Sequence, residues 1–216
     1  MLTMTTTTTL HPGWRVQLAI HRAVRRDTAR LAAALAEGRA TPPAAVRAYW
    51  LAMAAHLHEH HVLEDTLVWP LLGERLDGRV DELLARNAGE HGAMAAAMQT
   101  FDDVVATMTT YTSPARVALA QLSDTIETHL AHEEADVLPL IPEVFTDQDM
   151  QQFSAAAAET DPPNVFLPWL LDDATDDDIA FYTGSMPDSV RAELQSEWIP
   201  RWLTKVNALG LVNPCR

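Results

Sequence analysis

Two stretches of this chain carry the same side chains at the same offsets. The first starts His60-His61-Val62-Leu63-Glu64-Asp65 and reaches Pro70-Leu71. The second starts His129-Leu130-Ala131-His132-Glu133-Glu134 and reaches Pro139-Leu140. Both read His-x-x-x-Glu-acid, then Pro-Leu at a common distance. A histidine and a glutamate four apart lie one turn apart on one helix face. Imidazole nitrogen with carboxylate oxygen suits non-haem iron, manganese or zinc. Two such faces opposed across a helical bundle hold two cations, with the carboxylates placing negative charge between them.

The rest of the chain supplies that bundle. Apolar residues Val16, Ile20, Val24, Leu31 and Leu35 recur at helical spacing and predict a first helix over about 13–37, closed by Gly38. Thr41-Pro42-Pro43 opens a second, to about Leu76, and a turn follows at Asp77-Gly78. A third runs from about Val80 to Tyr111, with Gly89 and Gly92 as weak points. Ser113-Pro114 opens a fourth, to about Ile141. Long helices joined by short loops pack as antiparallel neighbours, so an all-α, up-down-up-down four-helix bundle is expected over residues 1–142. Residues 143–216 read as a helical extension, with shorter helices at about 147–159, 166–171, 176–182 and 187–209. There Trp169, Trp198 and Trp202 are candidates to cover an apolar bundle face, as a packed extension, a lid or an interface.

Nearly half the residues are apolar, enough for a sizeable core. The formal net charge of -15 repels nucleic acid and anionic membrane surfaces, so neither is expected as a partner. The acidity is read first as a source of solubility. The single cysteine, Cys215, allows no internal disulfide and no thiolate zinc cluster. Met1 to Leu10 has neither basic residues nor an apolar stretch of signal-peptide type, and no run reaches membrane-spanning length, so a cytoplasmic location is expected.

Nine histidines are the anomaly. Counted from the turns at about 1.5 Å per residue, His21, His60, His91 and His129 fall within about 9 Å along the bundle axis. With Glu64 and Glu133 they are the candidate metal ligands. His56, His61 and Tyr49 are possible additional ligands. His56 and His61 are read first as supporting or surface groups, and His58, His132 and Glu90 more firmly so. Asp65, Glu134, His61 and His132 are candidate proton relays. Leu63, Leu67, Met94, Met98, Ile126 and Leu130 lie one or two turns from the ligands and are expected to make the surroundings dry.

These residues resemble the hemerythrin-like, or HHE cation-binding, domains over about residues 11–142. The match is His21, then His60 with Glu64, then His91, then His129 with Glu133. The resemblance implies two iron ions with an oxo or hydroxo bridge, manganese and zinc being alternatives. His21 and His60 would then serve one ion, His91 and His129 the other, and Glu64 and Glu133 would bridge. Oxygen-carrying members place a further histidine one turn after the first on the third helix, where this chain has Ala95. The four-histidine set is similar to that of many bacterial members and leaves a position open. The segment from Pro163 to Trp202 resembles a tail on some actinobacterial members and implies no activity.

Other metal and nucleotide motifs fail. No glutamate is followed by histidine at the offset of the ferritin-like fold. His-Glu-x-x-His is absent, and so are nucleotide-binding glycine patterns. The expected function is therefore a di-iron protein that reacts with O2 or peroxide, acting as a redox enzyme on peroxide or a small organic molecule. Reversible O2 or NO binding, or iron or redox sensing, is the alternative. A purely structural metal is the weakest reading, because the core is large enough without one.

Overall fold

The computed structural model describes residues 12–36, 41–110 and 113–211, with side chains from residue 15 onward. The expected stop at Gly38, the end of the third helix at Tyr111, and Cys215 lie outside the described residues. Helix α1 spans Pro12–Ala34. Helix α2, Pro43–Leu63, starts on two prolines, where the missing N–H costs nothing. It continues through a π-helical turn, Glu64–Val68, into α3, Trp69–Arg75. The reversal that follows places Asp77 and Gly78 in succession at positive φ, 50° and 71°. Gly78 takes that conformation freely because it has no Cβ. Helix α4 spans Asp81–Thr107 and α5 spans Ser113–His132. A second π turn, Glu133–Val137, a 3-10 turn, Leu138–Leu140, and α6, Ile141–Val144, complete this part.

Helix α1 packs on α2 and α5, α2 on α4, and α4 along α5, which closes the four-helix ring. Helix α4 runs unbroken through Gly89 and Gly92. A Cβ at either position meets nothing within 4 Å. Gly89→Ala is therefore expected to raise unfolding stability by about 0.5–1 kcal/mol, read from denaturant midpoints.

The two π turns have a local cause. Proline has no N–H, and its ring crowds the carbonyl four residues back. Before Pro70, the Trp69 N–H bonds five residues back to Glu64 O; before Pro139, Leu138 N–H bonds to Glu133 O. A third π turn, Leu194–Trp198, precedes Pro200 in the same way. The repeated Pro-Leu thus widens each helix from the glutamate of its repeat onward. The wider turn also shifts the inward face by one residue. Val68 and Val137 are buried, whereas Leu67, expected near the site, is 38% exposed.

The extension is α7 (Asp147–Thr160), α8 (Pro163–Leu171), α9 (Asp176–Thr183), α10 (Asp188–Glu193) and α11 (Ile199–Ala208). Thr146 and Asp149 form a reciprocal capping box that starts α7. Helix α7 packs on α2, α8 on α1, and α11 on both α2 and α8. Its anchor is a buried polar knot on α1. Asp27, fully buried, accepts from Tyr49 Oη, Arg26 Nε and Trp169 Nε1, each at 2.7 Å. Asp172 accepts from Trp202 Nε1 at 2.8 Å and from Arg30. Asp178 holds Arg15 and Arg22. The acidic stretch 172–178 is in part a set of docking groups. Tyr49 belongs to this knot and not to the histidine cluster.

Candidate metal centre

The core divides along the bundle. One apolar cluster contains Leu57, Met94, Ile126 and Leu130; the other contains Val68, Leu72, Val137 and Ile141. Near their junction lie His60 and His61 at the end of α2, His129 on α5, and Glu64 and Glu133, which open the π turns that follow. Together with His21 and His91 these seven side chains are all less than 9% exposed.

They fall into two groups. His21, His60 and Glu133 form one; His61, Glu64, His91 and His129 form the other, with candidate ligand atoms in each group within 4.8 Å of one another. The carboxylates face both groups. Glu64 Oε1 lies 3.3 Å from His60 Nε2, while its Oε2 lies 3.5 Å from His91 Nε2. Glu133 Oε2 lies 3.1 Å from His21 Nε2 and 3.6 Å from His129 Nε2. Nε2 of all five histidines, Glu64 Oε2 and both Glu133 oxygens are buried without a hydrogen-bond partner. Orphaned buried polar atoms are costly, and here they converge. Bound cations would satisfy such atoms, so the residues fit a metal centre.

The structure brings together all six residues singled out in the sequence and adds a seventh. His61 is 8% exposed. Its ring stacks on His91 with centroids 4.2 Å apart and meets the His129 ring edge-on at 5.3 Å. His61 is thus no surface group, and it lies where one of the possible additional ligands was expected. Ala95, where the resemblance leaves a gap, is on the exposed side of α4. His56 stays apart, with Nδ1 2.6 Å from Asp161 and its ring stacked on Trp169.

The second acid of each repeat also acquires a position. Asp65 Oδ1 lies 2.9 Å from His91 Nδ1, and Glu134 Oε1 lies 2.9 Å from His21 Nδ1. Glu90 approaches His129 Nδ1 at 3.3 Å and His132 Nδ1 at 2.6 Å. Each acid holds the outer nitrogen of an imidazole on a neighbouring helix and turns Nε2 inward, as carboxylates do behind metal-binding histidines. Arg25 also donates to Glu134. The hydrogen bond from His21, with Arg25, holds the Glu134 carboxyl down at about 2.

Burial and neighbouring charges move the groups of the cluster in different directions. Burial, then neighbouring imidazoles, pushes His60 and His61 well below the ordinary histidine range, which keeps them neutral and able to donate lone pairs. Burial also lowers His129. Burial opposes a charge on His21, but Glu133 and Glu134 outweigh it and raise its pKa to about 9. Burial, then Glu133, pushes Glu64 well up. Burial opposes the Glu133 charge too, yet His21 more than compensates and holds it down.

Fold and site together define a helical bundle with a buried centre of imidazoles and carboxylates built for metal. The model of the hemerythrin HHE cation binding domain matches residues 13–141, and the chain belongs to that family. Comparisons with curated proteins and with solved structures returned no match. Among the described residues, no helix is long and apolar enough to cross a membrane.

Proposed function

We propose that the chain is a non-haem di-iron protein that reacts with O2 or peroxide, as a redox enzyme on peroxide or a small organic molecule. His21, His60 and Glu133 would hold one iron, and His61, Glu64, His91 and His129 the other, with Glu64 and Glu133 facing both groups. When bound, the iron pair supplies the electron transfers of O2 and peroxide chemistry. The chain fixes the imidazoles through Asp65, Glu134 and Glu90, and excludes bulk water with the two apolar clusters. Gln17 Nε2 donates to Glu64 Oε1 at 2.9 Å and sets the orientation of that carboxylate. His132 and Glu134 are partly exposed and hydrogen-bonded to the centre's supporting groups, which suits them to pass protons.

The observation that carries the enzymatic reading is access. A cavity of about 300 Å³ reaches His60, on the group with two histidines rather than three. Fewer protein ligands leave more coordination positions for a reactant. The open position argued from Ala95 thus moves to the His21–His60 side. Reversible O2 or NO binding is favoured by a different observation: His61 supplies a fifth histidine despite Ala95.

Anaerobic reduction, addition of O2 and visible spectroscopy separate the two. Rapid loss of the absorption band with consumption of peroxide or a co-substrate supports the enzyme. A stable band that reverses on degassing supports carriage. His61→Ala is expected to weaken one iron by roughly tenfold or more in competition with a chelator, the scale on which even groups supporting a ligand act. Unchanged affinity of both irons would remove His61 from the ligand set.

A further inference from the structure

The 300 Å³ cavity lies between α1 and α2 of the bundle and α7, α8 and α9 of the extension. Its walls are mainly apolar and include Leu63, Ile141, Phe145, Phe153 and Phe166. Phe145 and Phe153 meet edge-on with ring centroids 5.2 Å apart. An apolar cavity of about 150 Å³ stays dry and takes up benzene. This one has roughly twice that volume, at the lower end of small-molecule sites.

The polar residues of the wall direct their hydrogen-bonding atoms into the protein. Gln17 Nε2 donates to Glu64 Oε1 at 2.9 Å. Ser154 Oγ donates to the Met150 carbonyl at 2.8 Å, and Tyr182 Oη to the Arg15 carbonyl at 3.2 Å. Asp161 Oδ2 lies 2.6 Å from His56 Nδ1. Nε2 of His56 and of His60 is buried, so neither nitrogen offers itself to an occupant of the cavity. Of the remaining polar side chains, Thr160 is exposed and Glu59 half-buried. Among the lining residues there is no lysine or arginine. An anion would meet carboxylates and no cation. A cation would meet Glu59, which keeps contact with water and does not replace the hydration lost inside. A neutral donor would leave water for a wall without a free acceptor. Each of these transfers is costly, and an occupant without polar groups avoids them all.

We propose that this cavity binds an uncharged hydrocarbon of the alkylbenzene class, held by apolar contact alone. The phenylalanine walls suit a ring, and the volume has room for a short alkyl chain beside it. His60 lines the cavity and belongs to the group with His21 and Glu133, so the occupant lies beside the metal centre. The binding stands on the cavity alone. Its role as the substrate of the iron pair rests on the function proposed above.

The test is uptake of propylbenzene from the headspace by the full metal-loaded chain, followed by its displacement with 3-phenylpropan-1-ol, 3-phenylpropanoate and 3-phenylpropan-1-amine. Propylbenzene is expected to bind at one site per chain, with the alcohol, the acid and the amine each at least tenfold weaker. Ala157→Trp, which fills the cavity from α7, is expected to abolish uptake without changing iron content. Ala157→Phe, a smaller filling for use should the tryptophan variant not fold, is expected to weaken uptake at least tenfold. No uptake of propylbenzene, equal or tighter binding of any of the three polar probes, or full uptake by a folded filled variant would overturn the proposal. The two readings fail separately. A chain short of iron that still binds propylbenzene refutes the di-iron function alone. A chain with two irons and no uptake refutes the cavity assignment alone.

Discussion

Glu64→Ala is expected to reduce bound metal from two ions per chain to one or none. Glu64 sits between the groups, one oxygen toward His60 and the other toward His91. Its loss removes a ligand from both and leaves Glu133 as the one carboxylate between two cations, whose repulsion is severe in a buried setting. Glu133→Ala is expected to act alike, because Oε2 faces both His21 and His129. The isosteric Glu64→Gln separates charge from packing. It should fold as well as the unsubstituted metal-free protein, since a buried carboxyl with a raised pKa contributes little to that state. Metal analysis with parallel thermal melts of chelated protein checks both points. Two ions retained in Glu64→Ala would rule out a shared carboxylate.

Asp27→Ala is expected to destabilise the protein by about 3–5 kcal/mol, the scale for removing one partner from a buried charged cluster. It leaves the Tyr49 hydroxyl and the Trp169 indole N–H without their acceptor, and Arg26 without its nearest carboxylate. Trp169 is fully buried and belongs to α8, so the loss loosens the extension from α1. Urea unfolding gives the size of the effect. Trp169→Phe, which removes one donor and keeps most of the ring, should cost about 1–3 kcal/mol. A change under about 1 kcal/mol in Asp27→Ala would show that the knot does not hold the extension.

The helices were legible because proline, glycine and cap residues mark their ends with local physics. Thr41-Pro42-Pro43, Asp77-Gly78 and Ser113-Pro114 act where they stand in the chain. His21, His60, Glu64, His91, His129 and Glu133 were legible because helical rise converts spacing into depth. His61 was legible only as one of three possible additional ligands, beside His56 and Tyr49. Adjacent residues on a helix point about 100° apart, so His60 and His61 do not share one face. Yet α2 borders both α1 and α4, and the two rings face different neighbours: His60 meets His21, and His61 meets His91. The consecutive histidines opposite a missing one at Ala95 were the available signal.

The π turns were written in the Pro-Leu repeat, but their effect on phase required hydrogen bonds to be followed residue by residue. Leu67 was misplaced for that reason. The cavity was hidden more deeply, because its far wall comes from α7 to α9, about 100 residues beyond His56 in the chain. Only packing brings Asp161 to His56 and Phe166 to its ring.

Two groups of side chains are expected to hold two irons. The most direct measurement is anaerobic titration of the chelated chain with ferrous iron, followed by iron analysis per chain after desalting. Close to two irons per chain is expected, one for each group, with His61→Ala losing the tighter binding of one and Glu64→Ala the pair. Saturation at one iron or fewer by the unsubstituted, folded chain would contradict it.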